Sequence, residues 1–432
     1  NTPPPLKSSL CHPWVYGITD SGLLVRGHML LYFVDAIQAA EVAVLKGQGH
    51  RCVIAASSDQ ATLRHNMATA EVLIVRSTTV TREMMEAAPN LGLIIRAGAG
   101  TDTIDVDAAS EFGIYVCNVP GQNAVAVAEL TLGLVLALDR GITQSTNDLK
   151  GSYWNKAKYS DASGLKGRNI GILGFGSIGY EVAVRAKAFG LSIHGLQSQD
   201  RTPSASVAIS DLDATLHESI EDLLTVADIV SLHLPLTPQT QHLVNKHFLS
   251  NMKVGATLVN TARGGLVDEH ALLEAMTTKG LRVGLDVYEA EPVEAKTMWG
   301  PTIAQMDNFV GSHHIGASTE QARTAVARGV VSTINAYETG VPPNCVNIAA
   351  RPLGECAVAV RHKDEVGVLA AILSCLGTAG LNVQQMRNEI FEGTGVAAAV
   401  ATIRVSQMPG HTTVTELEAI PSVIKVDVLS SS

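Results

Sequence analysis

The segment that most restricts the fold is a run of three glycines, Gly174, Gly176 and Gly179, spaced as G-x-G-x-x-G. An apolar stretch at 169–173 precedes it and an amphipathic stretch at 180–189 follows, which predicts a strand, a turn and a helix. In such a unit the first glycine makes the turn, the second lets a pyrophosphate approach the backbone, and the third lets helix and strand pack closely. The helix N-terminus then presents partial positive charge to the phosphates. We predict a dinucleotide site; the alternative is a glycine-rich turn in a sheet that binds no ligand.

The position that distinguishes NAD from NADP is unusual in this chain. An acidic residue about 20 positions after the glycines normally holds the adenosine ribose 2′-hydroxyl. Here the next predicted strand, 191–196, is followed by Gln197, and the first carboxylate is that of Asp200. Gln197 removes the charge that would repel a 2′-phosphate, and Arg201 lies nearby. We expect NAD as the cofactor, and Gln197 leaves NADP, or the use of both, open.

Strand and helix patterns alternate through most of the 432 residues, which is typical of parallel sheets covered by helices. A first alternation covers 29–118, and a second, of roughly six strands, begins near Gly167. A long buried helix is predicted between them, at 121–141. After a linker at 340–344, about 75 residues follow the order βαββαβ of a ferredoxin-like module. The predicted class is α/β.

Charge and hydropathy exclude several classes of function. The chain has 31 Lys and Arg against 41 Asp and Glu, a formal net charge of −10, which argues against a nucleic-acid-binding surface. No apolar run approaches the ~20 residues of a membrane span. Six cysteines without a C-x-x-C pair predict reduced, mostly buried thiols in a cytoplasmic protein. Residues 1–28 show no helix or strand period and are set aside as an N-terminal extension of unknown role.

Four polar residues follow predicted strands of the second alternation: Arg263, Asp286, Glu291 and His314. Ligands of open α/β sheets bind at the carboxyl ends of the strands. The guanidinium of Arg263 can bind a carboxylate through two hydrogen bonds, and a histidine with a carboxylate partner can accept a proton from an alcohol. Singly, each residue can equally be a structural polar group, and sequence distance does not establish that Glu291 touches His314. The adjacent His313 and His314 do not favour a metal site, because no Cys/His spacing supports zinc.

Six segments, in this order along the chain, resemble the D-isomer-specific 2-hydroxyacid dehydrogenases. They are residues 75–77, 96–102 (Arg-Ala-Gly-Ala-Gly-Thr-Asp), 171–179, 259–268, 286–292 and 314–318. The resemblance extends from Met29 to the C-terminus and is to the branch of the family that oxidises 3-phospho-D-glycerate. It implies a Rossmann-type nucleotide-binding domain, 119–318, inserted into a flavodoxin-like substrate-binding domain, 29–118 and 319–340.

The resemblance also implies roles for single positions. His314 would be the acid/base group, Glu291 its carboxylate partner, and Arg263 the group that binds the substrate carboxylate and carbonyl. Ala99 and Gly100 would bind the substrate through their backbone N–H groups, and Arg76 would bind it through its positive charge. The positions that would contact the cofactor are Gly174, Gly176, Ser177, Ile178, Gly179, Gln197, Leu234, Thr261, Ala262 and Asp286.

The C-terminal residues 354–430 resemble an ACT domain, a small ligand-sensing module of ferredoxin-like fold. Segment 361–369 matches its first loop, although Val366 stands where proline is common. His362, Asp364 and Asn382 fall where serine-sensing versions bind the amino acid, so L-serine is the expected effector. The alternative is a module that only dimerises by pairing its sheet with a second copy.

The function that the resemblance implies is oxidation of 3-phospho-D-glycerate to 3-phosphohydroxypyruvate, the first step of the phosphorylated route to L-serine. One alternative is a dehydrogenase for another D-2-hydroxy acid, from the glyoxylate, hydroxypyruvate or 2-hydroxyglutarate systems. Another is a nucleotide-sensing scaffold without catalytic activity. A homodimer or homotetramer is expected, with no nucleic-acid partner, no membrane partner and no metal.

Overall fold

The computed structural model describes residues 16–18, 24–26, 28–35, 37–55, 65, 67–198, 203–292, 296–349, 352–391 and 397–430. The chain divides into two compact units, Asn1–Val346 and Asn347–Ser432. The alternation over 29–118 also predicts a helix at 60–68, and most of that range lies outside the described residues. Asp200 and Arg201 lie outside them as well. Two short antiparallel strands, β1 (Tyr16–Ile18) and β2 (Leu24–Arg26), lie within the N-terminal 28 residues, so the expectation of no strand there is wrong.

A five-stranded parallel sheet forms the first half of the larger unit. Its strands are β3 (Leu30–Phe33), β4 (Arg51–Ile54), β5 (Val72–Val75), β6 (Leu93–Arg96) and β7 (Tyr115–Asn118). Its helices are α1 (Ala39–Gly47), α2 (Arg82–Glu86) and α3 (Val106–Glu111). The spatial order β4-β3-β5-β6-β7 is the flavodoxin-like order 2-1-3-4-5, as predicted.

A seven-stranded parallel sheet forms the second half of this unit. Its strands are β8 (Asn169–Leu173), β9 (Ser192–Leu196), β10 (Thr215–His217), β11 (Ile229–Leu232), β12 (Thr257–Asn260), β13 (Arg282–Leu285) and β14 (Phe309–Gly311). The order β10-β9-β8-β11-β12-β13-β14 continues the Rossmann order 3-2-1-4-5-6 by one strand. The sequence predicted about six strands and missed β10. This strand has only three residues and no periodicity that could reveal it.

The described part of the larger unit contains eight further helices. They are α4 (Ala124–Arg140), α5 (Ile142–Lys150), α6 (Ser177–Ala188), α7 (Pro203–Ser210), α8 (Ile220–Val226), α9 (Lys246–Asn251), α10 (Glu269–Lys279) and α11 (Glu320–Thr339). The predicted buried helix is α4, which packs against α6 and the strands β12 and β13. Helix α11 buries Val330, Ile334 and Tyr337 against Leu31 and Phe33 of β3, so it covers the five-stranded sheet.

The C-terminal unit has the predicted βαββαβ order. Its elements are β15 (Cys356–Lys363), α12 (Val368–Thr378), β16 (Val383–Ile390), β17 (Ala398–Val405), α13 (His411–Glu418) and β18 (Val423–Ser430). The antiparallel order β16-β17-β15-β18 is that of a ferredoxin-like sheet. One face is closed by the two helices over a core that includes Val358, Ile372 and Leu417.

The described residues contain neither a membrane-spanning helix nor a metal-binding cluster. None of the helices there is long and apolar enough to cross a membrane. No group of three or more His, Cys, Asp or Glu side chains in that part of the chain is arranged to hold a metal ion.

Candidate active site

The glycine turn lies between β8 and α6, where the sequence places it. Gly174 has φ +103°, and a Cβ there would lie 2.4 Å from the carbonyl oxygen of His233, so a larger residue does not fit. A Cβ on Gly179 would lie 2.0 Å from the Gly174 carbonyl oxygen. A Cβ on Gly176 would meet none of the described atoms within 4 Å, and no side chain caps the helix that begins at Ser177. This open space at an uncapped helix N-terminus fits a dinucleotide pyrophosphate.

The other predicted cofactor positions line the same edge of the seven-stranded sheet. Gln197 directly follows β9, Leu234 lies two residues after β11, and Thr261 directly follows β12. Leu234 borders the glycine turn, since its Cδ2 would be 3.2 Å from a Cβ on Gly174. Gln197 is exposed, and its backbone N–H donates to the carbonyl of His217 at 2.9 Å. Thr261, Ala262, Ser177 and Ile178 occupy the strand and helix ends that face this edge.

His314 and Glu291 touch, which the sequence alone did not establish. Nδ1 of His314 lies 2.5 Å from Oε1 of Glu291, and both side chains are partly exposed. The hydrogen bond that His314 donates to Glu291, together with the negative charge of Glu291, raises the pKa of His314 above the ordinary value, although burial of the ring lowers it. With Nδ1 donating to the carboxylate, Nε2 is the ring nitrogen that can exchange a proton with a ligand.

Asp286 fixes the loop that carries His314. The carboxylate is buried and accepts hydrogen bonds from Ser312 Oγ at 2.6 Å, from the Ile315 N–H at 2.9 Å and from the Gly316 N–H at 2.8 Å. The Asp286 carbonyl accepts from the His314 N–H at 2.8 Å. His314 has φ +51°, a conformation that non-glycine residues rarely adopt. These bonds stabilise that conformation, so Asp286 positions the imidazole of His314. This role does not depend on a contact between Asp286 and a cofactor.

Arg263 reaches from the seven-stranded sheet to the loop after β6. Its Nη2 lies 3.2 Å from Oδ1 of Asp102, and Nη1 donates to the carbonyl of Ala262 at 2.8 Å. Gly100 permits this approach, because a Cβ there would lie 2.1 Å from Nη2 of Arg263. Burial works to raise the pKa of Asp102, but the charge and hydrogen bond of Arg263 outweigh it and lower that pKa. The charge of Arg263 also acts on His314.

Three arginines form a cluster here: Arg76, Arg96 and Arg263. Burial lowers the pKa of Arg96, and the positive charges of Arg263 and Arg76 lower it further. The Nε atom of Arg96 is buried and has no hydrogen-bond partner in the described part of the chain. Arg96 was not predicted as a site residue. The signal for it was present, because it ends β6 at the carboxyl edge and opens segment 96–102.

Two side chains hold the loops of the five-stranded sheet in place. Asp35 accepts hydrogen bonds from the backbone N–H groups of residues 76–78 at 2.6–3.2 Å, and these bonds lower its pKa against the effect of burial. The Asn118 amide donates to the carbonyl of Ala99 at 2.5 Å. These hydrogen bonds fix the backbone at Arg76 and the loop at Ala99. They do not use the Arg76 side chain or the N–H groups of that loop, which can therefore bind a ligand.

The predicted effector positions belong to the separate C-terminal unit. His362 is buried, with Nδ1 2.7 Å from the carbonyl of Lys363 and Nε2 3.2 Å from Oδ1 of Asn388. Asp364 and Asn382 are exposed. A ligand that used the His362 ring would have to displace one of these two hydrogen bonds.

Comparison with known proteins places this site in a family. Residues 132–316 match the family described as "D-isomer specific 2-hydroxyacid dehydrogenase, NAD binding domain". The chain is 42% identical over 286 residues to a D-3-phosphoglycerate dehydrogenase of Methanocaldococcus jannaschii, covering 66% of this chain and 53% of that one. It is 43% identical over 266 residues to a hydroxypyruvate reductase of Thermotoga maritima, covering 61% and 83%.

A solved structure extends the likeness to the fold. The NAD+-bound 3-phosphoglycerate dehydrogenase of Entamoeba histolytica is 26% identical, covers 74% of this chain and 99% of its own, and aligns with a TM-score of 0.62. The chain spans about half the length of the M. jannaschii dehydrogenase. The chain belongs to the D-isomer-specific 2-hydroxyacid dehydrogenase family and carries that family's NAD-binding domain.

Proposed function

We propose that the protein oxidises 3-phospho-D-glycerate to 3-phosphohydroxypyruvate with NAD or NADP, and catalyses the reverse reduction. The observation that carries the proposal is the cluster of Arg76, Arg96 and Arg263 beside the His314–Glu291 pair. A substrate with a carboxylate at one end and a phosphate at the other has two anionic groups for such a cluster to bind. Asp102 and Asp35 offset part of this positive charge, and a substrate without phosphate would engage fewer of the three guanidinium groups.

The two anionic groups of the substrate would take different partners. Arg263 and the backbone N–H groups of Ala99 and Gly100 would bind the carboxylate and the C2 oxygen, since Arg263 already reaches that loop. Binding would release Arg263 from Asp102, its present ion-pair partner. Arg76 and Arg96 would bind the phosphate. Anchoring both ends orients C2, and orientation of this kind can lower a barrier by several kcal/mol.

In the oxidation, the chemical step requires one proton transfer from the substrate to this chain. Nε2 of His314 takes the hydroxyl proton of C2, and Glu291 stabilises the imidazolium that forms, because it already raises the pKa of the ring. When bound, the nicotinamide supplies the acceptor for the hydride that leaves C2. In the reverse direction His314 must start protonated and returns the proton to the carbonyl oxygen. Asp286 keeps the ring in position in both directions.

The proposal assigns domains and regulation as well. Residues 29–118 and 319–340 would form the substrate-binding domain, 119–318 the nucleotide-binding domain, and 354–430 an ACT domain that senses L-serine. The packing of α11 on the five-stranded sheet and the ferredoxin-like strand order support these assignments. The product would enter the phosphorylated route to L-serine, and the assembly would be a homodimer or homotetramer.

A second candidate is reduction of hydroxypyruvate. The T. maritima relative named for that activity is 43% identical, and this chain covers 83% of it. Hydroxypyruvate offers the same carboxylate and carbonyl to Arg263 but has no phosphate for Arg76 and Arg96. The two candidates therefore differ at those two arginines.

The test is oxidation of NADH or NADPH by a panel of 2-oxo acids, with and without L-serine. We expect the highest kcat/KM with 3-phosphohydroxypyruvate and lower values with hydroxypyruvate, glyoxylate and 2-oxoglutarate. A preference for hydroxypyruvate would replace the first candidate by the second. Silence across the panel with both cofactors would favour a scaffold that only senses nucleotides.

A further inference from the structure

Two cysteines from distant parts of the sequence face each other in the larger unit. Cys117 lies in β7, and Cys345 lies 228 residues later, in the segment that follows α11. The two residues form an isolated antiparallel bridge, in which Cys345, outside any strand of the described residues, pairs with Cys117 of β7. The Cys345 thiol is a neighbour of the Cys117 thiol and acts on it electrostatically. The sequence predicted only scattered, reduced thiols, because no spacing pattern joins these positions.

The backbone at this bridge has the register in which a disulfide can form. The Val346 N–H donates to the carbonyl of Val116 at 2.8 Å, and the Asn118 N–H donates to the carbonyl of Asn344 at 3.3 Å. Both hydrogen bonds flank the Cys117–Cys345 pair, so the pair itself is of the non-hydrogen-bonded type. The Cα atoms of such pairs are about 4.5 Å apart. Disulfides span Cα distances from about 4.4 Å upward.

The two thiols differ in their surroundings. Cys117 is fully buried, and burial raises the pKa of its thiol, with the neighbouring Cys345 adding to the shift. Cys345 is partly exposed. A small oxidant from solvent can therefore reach Cys345, whereas Cys117 remains protonated and unreactive until its neighbour changes.

We propose that Cys117 and Cys345 form a reversible disulfide when the protein meets a peroxide. The Cys345 sulfur attacks the O–O bond of hydrogen peroxide, which gives a sulfenic acid and one water. The Cys117 sulfur then displaces the hydroxyl of that sulfenic acid, its own proton leaves with the second water, and the S–S bond forms. Overall two thiols lose two electrons and two protons, and one peroxide is reduced to two waters. A dithiol reductant reverses the change.

The bridge would lock two functional points of the larger unit. Cys117 directly precedes Asn118, whose amide holds the carbonyl of Ala99 at 2.5 Å in the loop next to Arg263. Cys345 is one residue before the end of this unit, at the segment that continues into the C-terminal unit. The disulfide would close a covalent loop of more than two hundred residues, which restricts the unfolded chain and stabilises the fold.

The test combines peptide mapping with thermal unfolding of the full chain. Reduced protein is treated with hydrogen peroxide, blocked with an alkylating reagent, digested without reductant and analysed by mass spectrometry. We expect one dominant cross-linked peptide joining Cys117 to Cys345, lighter by two hydrogens than its parts and absent after dithiothreitol. Peroxide should also raise the unfolding midpoint by a few degrees.

Variants separate the proposal from general oxidation. Cys345→Ser should lose both the cross-link and the peroxide-dependent midpoint shift, whereas the matched variants Cys52→Ser and Cys375→Ser, also at partly exposed thiols, should keep both. Cross-links distributed among other cysteines would overturn the proposal. So would oxidation of Cys345 to a sulfinic acid without a link, or an equal midpoint shift in Cys345→Ser. Because none of these measurements uses activity, the result is independent of the substrate.

Discussion

The site lies at the carboxyl edges of the two parallel sheets of the larger unit, and the two edges contribute different kinds of groups to it. The seven-stranded sheet supplies the glycine turn, Arg263, and the His314–Glu291 pair. The five-stranded sheet supplies Arg76, Arg96 and the N–H groups of the loop after β6. The first set is suited to transfer a proton, to hold a cofactor and, through Arg263, to bind the carboxylate common to all 2-hydroxy acids, whereas the second set is suited to bind a further anionic group.

The two edges are also held in place differently. On the seven-stranded sheet, Asp286 fixes a strained His314 backbone with a buried carboxylate. On the five-stranded sheet, Asp35 fixes the backbone at 76–78 and the hydroxyls of Ser77 and Thr78, and it makes no hydrogen bond to the Arg76 side chain among the described contacts. These differences imply a division of roles between the two edges. Changes on the first edge should reduce turnover with every substrate, and changes on the second should alter which substrate is preferred.

The largest effect is expected for His314→Ala. Loss of a general acid/base group typically lowers turnover by about 10²–10⁴-fold. The affinity for NADH, measured by fluorescence titration, should change little, because no glycine of the turn is altered. His313→Ala, at the exposed neighbouring position, is the matched control and should stay near wild type. Near-normal turnover in His314→Ala would remove this residue from the mechanism.

Arg263→Lys should be the next most damaging change. An ammonium cannot reproduce two parallel hydrogen bonds to a carboxylate, and we expect a loss on the order of a hundredfold in kcat/KM. The loss should be similar for 3-phosphohydroxypyruvate and hydroxypyruvate, which both carry the carboxylate. Arg82→Lys, whose guanidinium pairs with Glu111, is the control. A loss confined to the phosphorylated substrate would contradict the assignment of Arg263 to the carboxylate.

Glu291→Gln should change the pH dependence as well as the rate. Glu291 raises the pKa of His314, so its removal lowers that pKa. Alcohol oxidation needs neutral His314, and its acid limb should therefore move to lower pH. Carbonyl reduction needs protonated His314, and its alkaline limb should move to lower pH too. Turnover should fall roughly tenfold, in line with loss of one charged hydrogen bond.

The control for this variant lies on the same loop. Glu289 pairs with His242 at 2.6 Å, away from His314, so Glu289→Gln should leave both pH limbs in place. Limbs that stay fixed in Glu291→Gln would show that another group sets the pH dependence.

Gln197→Asp should have the smallest effect on the reaction itself. A carboxylate after β9 repels a 2′-phosphate and accepts a hydrogen bond from a 2′-hydroxyl. We expect the ratio of kcat/KM with NADPH to that with NADH to fall by about tenfold. The ratio is measured with one saturating 2-oxo acid. An unchanged ratio would show that Gln197 does not contact this part of the cofactor.

Local patterns accounted for most of the fold and for the cofactor turn. Glycine spacing is a contiguous signal, and each strand of a parallel sheet gives an apolar run of its own, so β8 and β9 were predicted close to their observed bounds. The βαββαβ order of the C-terminal unit was predicted for the same reason. The short strands β1, β2 and β10 were missed because three residues show no periodicity.

Contacts between distant residues could not be predicted from the sequence. No pattern or spacing joins Glu291 to His314, Arg263 to Asp102, or Cys117 to Cys345, because each pair depends on how the strand ends are placed in space. The pairing of Glu291 with His314 was expected only from the resemblance to the dehydrogenase family. Arg96 was overlooked although it ends β6 at the carboxyl edge, because its relation to Arg76 and Arg263 is not visible along the chain. The left-handed backbone of His314 and its support by Asp286 likewise become visible only in three dimensions.

The most direct test of the division between the two sheets is the substrate preference of Arg76→Ala. The quantity is the ratio of kcat/KM for 3-phosphohydroxypyruvate to that for hydroxypyruvate, compared with wild type and with Arg82→Ala. We expect the ratio to fall at least tenfold, through KM for the phosphorylated substrate, while hydroxypyruvate is reduced as before, since one charged hydrogen bond contributes about 1.5–3 kcal/mol. An equal loss with both substrates, or no change in the ratio, would contradict the assignment of substrate recognition to the five-stranded sheet.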